Sequence, residues 1–357
     1  MKLGLGLYKN LLNSTNFEFA KQAGATHLVV QLVDYVKGTK NPSLTKNYLD
    51  GWGVTDKKYK LWEYEELRAL KKEIESYGLK WKAIENFDPA HWYDILLDGP
   101  QKKVQIENLK QTLKMIGKVG IPIVGYYFSI AGVWGWTSKH TGRGNAKSIE
   151  FDQSLIDVNR PIPNGMVWNM QYDLDGENGF IAPVSRSAMW ERLQYFLNEI
   201  MPVAEENNIK LVAHPDDPPV KNMRETARLF YRTEEYEKLL NLYDSPSNGF
   251  ELCMGTIQEM EGSNLLDFLD NYSRLDKIGY IHYRNVIGKV PHYREAFVDE
   301  GDINMIKALE ILKKNNYDGI IVPDHTPEMS CDAAWHAGMA FAMGYMKGAL
   351  QSIENYT

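Results

Sequence analysis

His214, Cys253, His282 and Asp324 stand 29 to 42 residues apart, each closing a short apolar run: LVAHPDDPP, ELCMGT, GYIHYRNV and IIVPDHTP. Two imidazoles, a thiolate and a carboxylate are the donor set of a borderline divalent ion such as Mn, Fe, Co, Ni or Zn. Taken singly, each has a plainer reading. A Cys ending an apolar strand is commonly a small core residue, a rim His commonly makes a structural hydrogen bond, and an Asp after a strand can cap the next helix. Those readings do not predict recurrence at four successive strand ends, so the four are expected to be metal ligands.

Around them lie groups suited to acid–base and anion chemistry. His325 follows Asp324 directly and is a candidate acid or base, or a hydrogen-bonding support for the ligands. Arg284, two residues after His282, would project to the same side of a continuing strand. It is a candidate for gripping a substrate carboxylate through two parallel hydrogen bonds, or else a member of a surface ion pair. Asp216 and Asp217 make the exit of the fifth strand unusually polar and either orient ligands and substrate, Asp216 foremost, or merely solvate and cap. Glu295 and Asp302, in YREAFVDEGDIN, face the same rim. Glu295 is a second acid–base candidate, and Asp302 is expected to cap a helix starting near Ile303.

Residues so far apart in sequence meet only if the fold gathers strand ends. Short apolar runs at 2–7, 27–32, 80–85, 123–128, 210–213, 250–253, 278–282 and 319–323 alternate with amphipathic helical patterns, which predicts eight parallel strands joined by helices. Gly24, Gly78, Gly120 and the pair Asn207–Asn208 stand where helices would end in a left-handed residue. The expected architecture is a single-domain α/β fold, a (β/α)8 TIM barrel over residues 1–357, with its chemistry at the C-terminal ends of the strands. Two long connections, about 33–63 after strand two and 129–186 after strand four, decorate that same face. They carry Trp52, Trp62, Trp134, Trp136 and Trp168, with Arg143 and Arg160, and can cover a pocket, join subunits of a homo-oligomer, or both.

Composition narrows the function. The 357 residues carry 40 Lys and Arg against 47 Asp and Glu, a net charge of −7, which disfavours nucleic-acid binding. Two cysteines are too few for a disulfide framework, and the start MKLGLGLYKN lacks the continuous apolar core of an export signal, so a reducing cytoplasm is expected. The uncharged run 119–138 is broken by Pro122 and four glycines, which argues against a membrane span.

The blocks VAHPDDPP, NGFELCMGT, IHYRNV, REAF with EGDINM, and PDHTPEM resemble, in that order, the signatures of the mannonate dehydratase family. KQAGATHLVV, WKAIEN and NLKQTLKMIGKVGIPIVGYYF resemble its N-terminal half, so the likeness spans nearly the whole chain. It implies a metal barrel using Mn or Fe, with His214, Cys253, His282 and Asp324 as ligands. It also implies removal of water from D-mannonate to give 2-keto-3-deoxy-D-gluconate, a step of hexuronate breakdown, with His325 as the best-matched acid–base group. The chain departs from the family in several blocks. A DWTRT-like motif reads VWGWTSK here, so that a basic contact to the substrate falls to Arg143 or is absent. A family tyrosine 14 to 16 residues after PDH has no counterpart among Met339, Ala340 and Phe341, and His336 or Tyr345 are the spatial substitutes to examine. Dehydration of a sugar acid is therefore the leading expectation. A metal-dependent sugar isomerase or epimerase and a non-catalytic sugar-binding homologue are the alternatives.

Overall fold

The computed structural model of the chain describes residues 1–36, 53–55, 60–173 and 178–355; Trp52 lies outside them. Eight strands form the centre: β1 (Lys2–Leu7), β2 (His27–Val30), β3 (Lys80–Ile84), β4 (Ile123–Tyr126), β5 (Lys210–Ala213), β6 (Asn248–Cys253), β7 (Ile278–His282) and β8 (Ile320–Val322). Each pairs in parallel with its sequence neighbours, and β8 returns to β1, so the sheet closes into the predicted barrel. The register sets Cys253 beside His282 and His282 beside Val322, which brings the candidate donors of β6, β7 and the β8 exit to one level of the rim.

Strand alternation sorts the apolar residues. Val29, Ala83, Val212, Tyr280, Ile320 and Val322 form a cluster of their own in the barrel interior. Their neighbours Leu28, Val30, Ile84, Val124, Leu211 and Ile281 join the larger core beneath the helices. The helix Lys102–Val119 shows how that core is covered: Ile106, Leu109, Leu113 and Ile116 recur at three- and four-residue spacing on its buried side. Truncating one of them, such as Leu113, to Ala costs about 2–5 kcal/mol. The helix stops at Gly120, whose φ of +78° only glycine adopts without strain. Gly24, Gly78 and Asn208 end other helices in the same left-handed way.

Helix starts are capped by Asn13, Ser185, Asn264 and Asn304, each accepting a hydrogen bond from a backbone N–H three residues on. Such a cap contributes about 1 kcal/mol. Asn304 holds the position expected of Asp302. The Asp302 carboxylate instead accepts from the backbone N–H of Gly288 and pins a hairpin. Two helices escaped the sequence reading. Pro89–Leu97 begins on Asp88, which accepts from Ala90 N–H, with proline in the first turn; Met254–Glu259 starts immediately after Cys253.

The connection after β4 is not an open loop. Its strands Trp136–Lys139 and Ser148–Asp152 join the hairpin Asn285–Lys289 and His292–Ala296, which follows β7, in a four-stranded antiparallel sheet over the barrel mouth. Lys147 also bridges to Glu328 after β8, Glu328 N–H donating to the Lys147 carbonyl at 2.8 Å. Trp134, Trp136 and Trp168 are buried within the chain. Trp62 packs edge-on against His91. No helix among the described residues is long and apolar enough to cross a membrane.

Candidate active site

The strand ends gather the four predicted ligands, and β6 adds a fifth group. Two triads share His282: Cys253, His282 and Asp324 in one, His214, Glu251 and His282 in the other, with ligand atoms in each within 4.8 Å of one another. His282 uses opposite edges of its ring. Nδ1 lies 3.5 Å from Asp324 Oδ2, while Nε2 lies 3.0 Å from Glu251 Oε1 and 3.2 Å from Glu85 Oε2. His214 Nδ1 is 2.6 Å from the Pro215 carbonyl, which can only accept, so Nδ1 carries a proton, and Nε2 points toward Glu251 Oε1 at 3.6 Å.

These residues fit a divalent cation. His282 Nδ1 is buried without a hydrogen-bond partner, and it faces the soft thiol of Cys253 and the hard carboxylate of Asp324, whose Oδ2 is 3.9 Å from Cys253 Sγ. Burial would raise the Asp324 carboxyl, but His325, His282 and Arg284 outweigh it and hold Asp324 well below the usual carboxylate range, ready as an anionic ligand. Glu251 also stays ionised, since His282 and His214 overcome its burial. Glu85 moves the other way, raised first by burial and then by Glu251 beside it. Both carboxylates lie on the Nε2 side of the His282 ring.

Arg284 is enclosed by acids. Its Nη2 donates to Asp217 Oδ2 at 2.7 Å, Glu259 Oε1 at 3.0 Å and Thr256 Oγ1 at 3.0 Å, and its Nη1 donates to Glu295 Oε1 at 3.2 Å. The side chain is only 1% exposed. Gly255, at the start of the short helix, has no side chain and so admits the guanidinium, against which an added Cβ would collide. Asp217 is kept below its ordinary range because Arg284 and donors from Tyr293 and Thr256 outweigh burial. Glu259 is driven far up by burial and by Asp217 beside it.

His325 sits on the same network. Its Nδ1 is 2.8 Å from Glu295 Oε1, its Nε2 is 3.3 Å from Asp324 Oδ1, and Trp136 meets its ring edge-on at 5.5 Å. Burial alone would lower its basicity, but Asp324 and Glu295 override this and raise it to about 9. A cavity of about 540 Å³ opens over these groups, with His214, Asp217, His282, Arg284, Glu295, Asp324 and His325 on its wall. Such a volume is typical of a small-molecule site.

Two of the predicted substrate contacts lie elsewhere. Asp216 is buried behind the wall, paired with Arg228 at 2.9 Å and accepting from the backbone N–H groups of Leu229 and Phe230. Arg143 is partly exposed and paired with Asp299 at 2.7 Å. Neither lines the cavity. Nor do the proposed substitutes for the tyrosine: His336 Nε2 bonds to Asn16 Oδ1, and the wall there is made by Trp335 and Met339. Among the described residues, the cavity's tyrosines are Tyr8, Tyr35 and Tyr127, from beyond the ends of β1, β2 and β4.

Sequence reasoning passed over Glu85, Glu251 and Glu259 as supports, and it named Asp217 beside Asp216 without separating the two. A signal for Glu251 was present, because it stands two residues before Cys253 on one strand and so shares its side of the sheet. Glu259 had none, since it reaches the cluster through a helix that the sequence reading did not place.

Known proteins resemble this chain in sequence and fold. The family described as D-mannonate dehydratase (UxuA) matches residues 1–357. Mannonate dehydratase 2 of Halalkalibacterium halodurans is 31% identical over 277 residues, covering 74% of this chain and 79% of that one. Mannonate dehydratase of Thermotoga neapolitana is 30% identical over 288 residues, covering 74% and 78%. The crystal structure of mannonate dehydratase from Streptococcus suis serotype 2 superposes with a TM-score of 0.76 at 25% identity, covering 99% of this chain and 93% of that one. A D-psicose 3-epimerase from Clostridium cellulolyticum H10, at 13% identity and a TM-score of 0.56, shares the fold. With one family matching from the first residue to the last, and relatives at this identity over three-quarters of its length, the chain belongs to the D-mannonate dehydratase family.

Proposed function

We propose that the protein is a hydro-lyase that removes water from the sugar acid D-mannonate, giving 2-keto-3-deoxy-D-gluconate in hexuronate catabolism. The observation that carries this reading is the His325–Glu295 contact at 2.8 Å, on a cavity wall that also holds Asp324 and His282. The reaction takes a proton from C2 and expels the C3 hydroxyl as water; the enol then becomes the 2-keto group. A divalent ion, Mn or Fe in this reading, held by His214, Cys253, His282 and Asp324, would supply Lewis acidity that makes the C2 proton easier to remove.

The chain's own residues do the rest. His325 Nε2 exchanges a proton with the substrate, while Glu295 holds Nδ1–H and stabilises the charged ring. Arg284 fixes Glu295 and Asp217 in place. Trp136 and Trp168 close the cavity wall and limit water at the reacting carbons. The reading treats the chain as one functional domain, because the 129–186 insertion and the barrel line the same cavity. It places the enzyme in the cytoplasm, where the exposed free thiol of Cys331 stays reduced. The buried tryptophans of the insertion serve the cavity in this reading, so a homo-oligomer would assemble through other surfaces.

Incubating the Mn-loaded protein with D-mannonate and assaying 2-keto-3-deoxy acid tests the proposal. Product that disappears with His325→Gln is expected. Exchange of the C2 proton with solvent and no loss of water would mark an isomerase or epimerase instead, and sugar binding without either would mark a binding homologue.

A further inference from the structure

A sugar acid brings a full negative charge into a cavity already walled by Asp217, Glu295, Asp324 and Glu328. Beside His325 and the ion proposed for the strand ends, a side-chain cation of permanent charge that is free to meet it would hold the far oxygen of the carboxylate. Among the described residues, two side chains of permanent positive charge line the cavity, Arg284 and Lys147. Arg284 is committed, with both Nη atoms engaged by three carboxylates and a hydroxyl, and it is almost wholly buried. Freeing it would leave those acids unpaired in the interior, which is strongly unfavourable. Arg143 is outside the cavity, on Asp299.

Lys147 differs on every count. Its side chain is 35% exposed, and its ion-pair partner is Glu328, at 3.1 and 3.3 Å, itself 56% exposed. An exposed pair of this kind contributes about 0–1 kcal/mol, little enough for another carboxylate to replace it. The two backbones are bridged at these residues, so the exchange needs only side-chain rotation. The bridge also ties the cation to the chemistry, since Glu328 lies three residues beyond His325 on one loop, and Lys147 leads directly into the strand Ser148–Asp152, which pairs with the strand of Trp136.

We propose that Lys147 binds the carboxylate of the sugar acid, and that Glu328 occupies its ammonium until the substrate replaces it. This rests on the sugar-acid reading above. Lys147 is thereby a specificity-determining residue: it favours acids over neutral sugars of the same length.

The test compares binding of D-mannonate and its uncharged amide, D-mannonamide, by calorimetry on Mn-loaded protein, all forms carrying His325→Gln to stop turnover: otherwise wild type, Lys147→Ala, Lys147→Arg and Glu328→Gln. Wild type is expected to prefer the acid. Lys147→Ala should weaken the acid about tenfold or more, as loss of a charge-assisted contact does, and the amide less than about twofold. Lys147→Arg should keep the preference, and Glu328→Gln should tighten the acid by removing its competitor. Lys147→Ala that keeps its thermal transition and binds the acid as wild type does overturns the proposal alone. Wild type that binds neither compound, or both alike, overturns the sugar-acid reading and this assignment with it.

Discussion

Glu295 Oε1 contacts two cations at once, His325 Nδ1 at 2.8 Å and Arg284 Nη1 at 3.2 Å. The carboxylate stands on a strand of the sheet over the mouth, whereas His325 leaves the barrel itself, so the acid–base pair forms only when the two layers are in register. Glu295→Gln keeps the shape but cannot stabilise the charged imidazole. It should lower kcat for D-mannonate dehydration about 10- to 100-fold, and His325→Gln about 100- to 10,000-fold. A Glu295→Gln enzyme with unchanged kcat would remove Glu295 from the mechanism.

Glu251 orients His282 from the side opposite Asp324. Carboxylates that hold a ligating imidazole in this way typically contribute 10- to 100-fold in metal affinity. Glu251→Gln should weaken Mn binding by about that factor in a chelator competition, while circular dichroism of the apo protein stays as in wild type. Undiminished Mn affinity would leave Glu251 a structural acid only.

Arg284→Met removes the one guanidinium among Asp217, Glu259 and Glu295. Breaking a buried cluster from one side costs about 3–5 kcal/mol, to be read from chemical denaturation at pH 7. Arg284→Lys should recover little, because an ammonium cannot span the planar fork to Asp217, Glu259 and Glu295 together. Wild-type stability in Arg284→Met would show that the acids are neutral without it.

His27, on β2, gives the fold a pH dependence remote from the metal. Burial and the charges of Lys2, Lys82 and Lys80 lower its pKa to about 4, and its Nδ1 is 2.7 Å from Thr26 Oγ1. The unfolded chain therefore takes up a proton near pH 6.5 that the folded chain refuses until about pH 4. This contribution to stability is whole above pH 6.5 and is lost as pH falls toward 4. Melting temperatures of wild type and His27→Gln should diverge less at pH 4.5 than at pH 7, as the variant lacks the linked proton. Parallel curves across that range would contradict the assignment.

Most of the candidate metal site was legible because it depends on periodicity. A parallel barrel places its strand ends on one rim, so a His, a Cys, another His and an Asp at the ends of four apolar runs had to be neighbours. The supports were hidden for equally physical reasons. Glu85 and Glu251 lie at or near the ends of strands that read as apolar, and the choice between Asp216 and Asp217 turns on which carboxylate faces inward through HPDDPP, which spacing does not encode. Asp217 faces the cavity and Asp216 faces Arg228.

The sheet over the mouth was the larger omission. Strands such as Trp136–Lys139 and Ser148–Asp152 are short and carry Lys, Ser, Glu and Asp, so no apolar run announces them. Their pairing is decided by hairpin residues after β7, more than 130 positions away. The sequence reading accordingly placed the substrate cation at Arg284 or at Arg143, four residues past the end of strand Trp136–Lys139, without the register that puts Lys147 on the wall.

That sheet is assembled from two connections, one after β4 and one after β7, laced across strands whose ends carry the candidate metal ligands. Floor and roof are consequently separate inheritances. The floor is locked by barrel closure, where moving one donor disturbs its neighbours, while the roof is connective tissue free to change length and charge. A lineage built on this plan can adopt a new acid by redrawing the ceiling and leave the hearth untouched.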